Sequence, residues 1–206
     1  MKKEKASTRP KADKAPSDRE LIERIRSQDW NAFEVLVLRY QDRVYGLALG
    51  MLRDDDEAQD VVQETFLNVF RKLESFRGES AFSSWLYRIA ANNAMMKLRG
   101  KRRRVETSLE EVLPAYNTDG HFTVSIEDWS QRVDKMLEDR ELGEHIRQAV
   151  DKLPDIYRAV FLLSDIHDMS MRDIAATLDL TVPNVKTRLH RARLYLRAEL
   201  DRYVKS

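Results

Sequence analysis

Cysteine is absent from the 206 residues, which excludes disulfides and thiolate-held metal and makes a reducing compartment the expected one. Glycine and proline are scarce, at six and five, beside 42% hydrophobic residues; that balance suits a helix-rich globular protein. No apolar run approaches the ~18 residues needed to cross a bilayer, so no membrane insertion is expected. The N-terminal stretch MKKEKASTRPKADKAP is basic but lacks the apolar centre of a signal peptide. Residues 1–17 are therefore expected to be a flexible basic tail on a cytoplasmic protein. Strand-like alternation is not sustained anywhere. The four histidines, His121, His145, His167 and His190, are scattered, with no metal-ligand spacing and no phosphate-binding loop. No enzyme, cofactor or metal is expected, and His167, beside Asp165 and Asp168, is expected at the surface near a helix end.

Charge is present in quantity but unevenly placed. The formal net charge is only +1, yet residues 97–104 hold Lys97, Arg99, Lys101, Arg102, Arg103 and Arg104 with no acid. Residues 105–130 reverse this, with Glu106, Glu110, Glu111, Asp119, Glu127 and Asp128 and no Lys or Arg. From Lys186 to Lys205 the chain is basic again. Such asymmetry speaks about partners more than the total does.

Helical periodicity sets the organisation. Ser17 or Asp18 can cap a first helix to about Ser27, and a second is predicted from Asn31 to Leu52. A third runs from Asp55 to Phe76, its inner face formed by Ala58, Val61, Val62, Thr65, Phe66, Val69 and Leu73. Gly78 permits a turn, Ser80 is a candidate N-cap for the next helix, and Gly100 can stop that helix after Arg99. Residues 105–130 lose periodicity, and 105–136 are expected to be the linker. Helices resume near Val133, continue to Leu153 and restart after Pro154. The expected fold is all-α: a helical domain over 18–104 and a smaller one over 137–206, joined by a flexible acidic linker.

Within the second domain, MSMRDIAATLDLTVPNVKTRLHRARLYL carries the clearest pattern. Ser170 can cap a short helix burying Ile174, Ala175 and Leu178, and Asp179 to Val182 make a turn. Pro183 sits near the start of a second helix, where its missing N–H is harmless. Val185, Leu189 and Ala192 face inward, leaving Asn184, Lys186, Thr187, Arg188, His190 and Arg191 outward. This is a helix-turn-helix with a basic recognition helix, whose Lys, Arg, Asn and Thr side chains can meet phosphates or base edges.

On a helical wheel of residues 82–99, Phe82, Trp85, Leu86, Ile89 and Met96 share one face with Asn93 in its middle. Asn93 is thus expected to be buried and bonded to nearby backbone. Asn92 belongs to a different stripe, with Arg88, Met95 and Arg99, and can bond a base edge. The preceding loop adds Phe76, Arg77, Gly78 and Glu79. Its aromatic ring either stacks on unpaired bases, as in single-strand binders, or packs the core; for Trp85 the core is favoured. On the third helix Leu67 points outward beside Asp60, Gln63 and Glu64, as part of a protein-docking patch or as an isolated exposed leucine.

The run DDEAQDVVQETFLNVFRKLESFRGESAFSSWLYRIAANNA resembles domain 2 of the extracytoplasmic-function (group IV) sigma factors, and the helix-turn-helix with VKTRLHRAR resembles their domain 4. The resemblance covers about Asp18 to Arg104 and Leu137 to Tyr203. It implies a bacterial alternative sigma factor that binds core RNA polymerase, recognises -35 and -10 promoter elements, and helps melt DNA. By position, Asp60, Gln63, Glu64 and Leu67 match the polymerase-docking helix. Phe76, Arg77, Gly78, Ser80 and Asn92 match the elements that hold a flipped -10 base, with Arg88, Arg99, Lys101, Arg102, Arg103 and Arg104 along the DNA. Asn184, Lys186, Thr187, Arg188, His190 and Arg191 match the -35 reading helix. His190 departs from the apolar or aromatic residues often found there, and the Asn184 position often carries threonine. The resemblance further implies an anti-sigma partner and a linker that runs toward the RNA path. A two-component regulator would need strands and a phosphoacceptor aspartate, which 18–104 lacks. A sigma mimic that titrates partners remains a competing reading.

Overall fold

The computed structural model describes residues 15–102 and 140–204, and every regular element among them is helical. Helix α1 (Asp18–Arg26) begins with a capping box. Glu20 donates its N–H to Ser17 Oγ at 3.3 Å, and Ser17 donates its own N–H to Glu20 Oε2 at 2.6 Å. It buries Leu21, Ile22 and Ile25, and Ser27 closes it as expected. Helix α2 (Trp30–Leu52) follows after Gln28, whose φ of 66° makes the tight reversal. Arg39 of α2 bonds Asp18 and the Pro16 carbonyl, each at 2.6 Å. The boundary between the two compact units of the chain falls next, between Arg39 and Tyr40.

Helix α3 (Asp55–Lys72) starts at Asp54, whose carboxylate accepts the Glu57 N–H at 3.1 Å. Acids fill its first turn and Arg71 and Lys72 its last, so both ends match the helix dipole. A single 3₁₀ turn, Leu73–Ser75, completes it. The predicted inner face is buried apart from Val62, which is half-buried.

Helix α4 (Phe82–Arg102) departs from expectation at both ends. It starts two residues after Ser80, and the Ala81 carbonyl accepts the Trp85 N–H at 3.2 Å, so Ala81 occupies the cap position. It also runs through Gly100 without a left-handed residue. Glycine permits a stop but does not impose one when hydrogen bonding continues.

After the undescribed stretch, which includes the expected linker and the restart near Val133, come α5 (Arg140–Lys152) and α6 (Asp155–Phe161). Pro154 separates these two helices. Helix α6 widens into a π turn, Leu162–Ile166. Its Asp165, 7% exposed in the side chain, takes a two-pronged bond from Arg193 of the last helix, with both contacts at 2.8 Å. Helices α7 (Met171–Leu178) and α8 (Val182–Val204) end the fold. Leu189, Leu196 and Leu200 of α8 are buried, and α8 packs on α5, α6 and α7.

The helices on either side of the undescribed stretch pack together. Helix α7 lies on α4, and the end of α2 meets the turn between α5 and α6. There Arg158, 1% exposed, donates to the Met51 carbonyl at 3.0 Å and to the Leu153 carbonyl at 2.8 Å. Arg53 donates to the same Leu153 carbonyl at 2.8 Å.

Candidate nucleic-acid interface

The helix-turn-helix is built by local chemistry. Ser170 Oγ accepts the Asp173 N–H at 3.1 Å and starts α7, which buries Ile174, Ala175 and Leu178. Asp179 closes the helix in the left-handed conformation, φ 56° and ψ 50°. A short polar residue tolerates that geometry where most residues do not. The Leu180 N–H returns to the Ala175 carbonyl at 2.9 Å, satisfying the helix end. Thr181 then caps α8: its Oγ1 accepts the Asn184 N–H at 3.3 Å and its carbonyl the Val185 N–H at 3.0 Å. Thr181 falls within the turn expected from Asp179 to Val182, and a threonine just before Val-Pro is the signal that marks it as a cap.

Val185, Leu189 and Ala192 are buried as expected. Of the six residues assigned to the outer face, Asn184, Lys186 and Thr187 are exposed while Arg188, His190 and Arg191 are half-buried. Arg191 Nη1 lies 3.4 Å from the Tyr157 hydroxyl of α6. The fully open part of the face is therefore its first turn and a half.

Helix α4 corrects the wheel. Met96, assigned to the inner face, is 69% exposed, and Met95, assigned to the outer stripe, is 9% exposed. The buried positions Leu86, Tyr87, Ala90, Ala91, Ala94, Met95 and Leu98 span about half the circumference at ~100° per residue, because α3 packs on one side and α7 on another. The small side chains at 90, 91 and 94 fit a helix approached on more than one side. Asn93 is half-buried as a bridge rather than a backbone partner: it donates to Thr65 Oγ1 of α3 at 3.2 Å. Asn92 is exposed, as expected, and so is Arg99. Arg88 is half-buried and ion-paired with Asp173 of α7. Lys101 and Arg102 continue the α4 backbone, while Arg103 and Arg104 lie outside the described residues.

In the loop before α4, Phe76 packs its ring against Phe82 and Trp85, at centroid distances of 5.8 and 5.1 Å. Packing thus accounts for much of that ring. Gly78 has φ 73°, which only glycine adopts freely, and it stands between exposed Arg77 and Glu79. Ser80 is half-buried.

On α3, Asp60, Gln63, Glu64 and Leu67 are all exposed. Asp60 accepts a 3.0 Å bond from Lys97 of α4, which with the nearby Glu64 and Glu57 raises the lysine pKa above its usual value. A shallow depression of about 540 Å³ opens beside them, lined by Glu64, Leu67, Asn68, Asn93, Met96 and Lys97 among others. Leu67 is 54% exposed and Phe70, one turn further on, 49%. Leu67 is therefore not isolated. Phe70 could have been found by extending its stripe by three residues; Met96 could not, because the wheel put it inside.

His167 is a second correction. It is half-buried with its ring 4.4 Å from that of Tyr87. Burial, then the nearby Arg43 charge, lowers its pKa to about 4. A histidine beside two aspartates looks solvent-facing in sequence, but the π turn swings it against α4. Among the described residues no cluster of His, Asp or Glu has the makings of a metal site.

Residues 36–104 match the family Sigma-70 region 2 and residues 144–196 match Sigma-70, region 4. The RNA polymerase sigma-H factor of Pseudomonas aeruginosa is 37% identical over 176 residues, covering 85% of this chain and 90% of that protein. The ECF RNA polymerase sigma-E factor of Escherichia coli is 36% identical over 177 residues, covering 86% and 91%. The solved structure of CnrH in complex with the cytosolic domain of CnrY superposes with a TM-score of 0.56. It is 28% identical and covers 89% of this chain and 97% of that one. Two helical modules of these kinds, in this order, define a sigma-70-type initiation factor. The chain belongs to the ECF RNA polymerase sigma factors: it is a non-catalytic alternative sigma factor that directs promoter recognition for transcription initiation.

Proposed function

We propose that this sigma factor divides its work among three surfaces, carried by domains over residues 18–104 and 137–206 with residues 105–136 as linker. The exposed strip of Asp60, Gln63, Glu64 and Leu67, extended by Phe70 and Met96, docks on core RNA polymerase. Its mixture of acid rim and open apolar side chains suits a protein partner. Phe76, Arg77, Gly78, Ser80 and Asn92 hold melted -10 DNA, with Arg88, Arg99 and Lys101 to Arg104 along the phosphates. Asn184, Lys186, Thr187, Arg188, His190 and Arg191 read the -35 duplex. An anti-sigma protein regulates the factor, which works in the cytoplasm; no helix among the described residues is long and apolar enough to cross a membrane.

The observation that carries this reading is the helix-turn-helix itself. Its capped, left-handed turn presents Asn184, Lys186 and Thr187 in the open at the start of α8, the part of a recognition helix that meets base edges. Reconstitution with core polymerase on a library of promoter fragments tests it. Specific initiation from a subset of fragments is expected; core binding without specific initiation from any fragment would mark a titrating mimic instead.

A further inference from the structure

Two arginines of α8 are held from α6 and the π turn that ends it, and the two holds differ in kind. Arg193 donates Nε and Nη2 to the Asp165 carboxylate, both at 2.8 Å. With that carboxylate only 7% exposed, the pair engages both the fork and the charge of Arg193 inside the fold. Arg191 donates Nη1 to the Tyr157 hydroxyl at 3.4 Å. A hydroxyl is a neutral acceptor, so this contact orients the guanidinium without cancelling its charge.

The two arginines also lie on different flanks of the helix. At ~100° per residue Arg191 falls in one stripe with Asn184, Thr187 and Arg188, and Arg193 lies ~200° further round. Asn184 and Thr187 are exposed, so the stripe that carries Arg191 opens to solvent at the start of α8. Helix α6 thus grips α8 on both sides: by a carboxylate on one flank, and by a hydroxyl on the flank of that stripe.

Tyr157 is 7% exposed, too enclosed to be a principal DNA contact itself, whereas Arg191 is half-buried. What Tyr157 does for a duplex therefore passes through the arginine. A buried tyrosine usually finds a partner for its hydroxyl; here the partner is a cation of the recognition helix, and that gives the contact a consequence for binding. An arginine already restricted in its rotamers loses less freedom when it meets a phosphate or a base edge. A supporting contact of this kind also fixes where along the duplex the fork arrives.

We propose that Tyr157 is a positioning residue for promoter recognition, its hydroxyl holding the Arg191 fork toward the -35 duplex. This deepens the reading of α8 given above and rests on it. Affinity for the -35 element then depends on α6, a helix outside the helix-turn-helix pair.

Tyr157→Phe removes the hydroxyl and keeps the ring. The test uses full-length factor reconstituted with core RNA polymerase and a promoter fragment on which the unmodified factor initiates specifically. A second fragment carries the same -10 element and a scrambled -35 sequence. Tyr157→Phe should weaken binding to the first fragment about threefold to tenfold, the scale of one hydrogen bond, and shrink its advantage over the second. Arg191→Ala should weaken it at least as much, and the double variant should bind no more weakly than Arg191→Ala alone. A merely structural defect would weaken binding in both backgrounds, and that additivity would overturn the proposal. So would unchanged binding by Tyr157→Phe while Arg191→Ala is weakened. If Arg191→Ala binds both fragments like the unmodified factor, or no fragment is initiated specifically, the -35 reading itself fails and takes the role of Tyr157 with it.

Discussion

Helix α4 and the helix-turn-helix of α7 and α8 both carry helical periodicity, yet only the second buries the core residues that its spacing predicts. Helices α7 and α8 begin at side-chain caps, Ser170 and Thr181, and Asp179 turns the chain between them. Their apolar positions form single stripes. Helix α4 is buried against α3 and α7 together, so its buried residues fill a broad arc of about half the circumference rather than a narrow stripe. Period identifies a helix, and it identifies the inner face only where there is just one.

The sharpest way to break this comparison is at the centre of the helix-turn-helix. Ile174→Ala empties a fully buried site and should cost about 2–5 kcal/mol, seen as a lower Tm in thermal unfolding. A cost below that of an ordinary surface change would mean that α7 is not packed as described. The same residue type then separates the two regions. Ala91 is fully buried in α4 and Ala176 is exposed on α7. Ala91→Leu should cost about 1–3 kcal/mol by overpacking, and Ala176→Leu should stay within about 0.5 kcal/mol. Equal effects in denaturant titrations would deny α4 its second buried face.

The Tyr87–His167 contact gives the comparison a pH dependence. The folded pKa of His167 is about 4, below the ~6.5 of an unfolded histidine. The unfolded chain therefore binds the extra proton first, and stability falls as pH drops from above 6.5 toward 4. Between pH 7 and pH 5 the expected loss is about 2 kcal/mol from this group. Unfolding curves of His167→Gln should lack that part of the slope; an unchanged slope would assign it elsewhere.

The smallest effects separate the two amides. Asn93→Ala removes the bond to Thr65 and should cost about 1 kcal/mol. Asn92→Ala touches an exposed position and should leave Tm within the ordinary surface range, while slowing promoter opening more than it weakens polymerase binding. Matched Tm losses in the two variants would erase their division of labour.

Much of the site is local in origin and therefore legible. The caps at Ser17, Ser170 and Asp179, the outward Asn184, Lys186 and Thr187, and the exposed Asp60 to Leu67 strip all follow from spacing and side-chain chemistry over a few residues. What could not be read depends on neighbours far along the chain. Arg88 looks like a free phosphate contact until Asp173, 85 residues later, takes it. His167 looks solvated until a π turn brings it to Tyr87. Phe76 looks fully free for base stacking, but Phe82 and Trp85 pack against part of its ring.

The helices, the recognition face and the family are all written in local sequence, because periodicity, caps and charged spacing act within a turn or two of the backbone. Which side of α4 is open, which of Met95 and Met96 is buried, and which cations are already engaged follow from packing between distant segments. Those outcomes depend on which two surfaces exclude water from each other, and Arg158, closing the ends of α2 and α5 with one guanidinium, has that role only when both helices are in place.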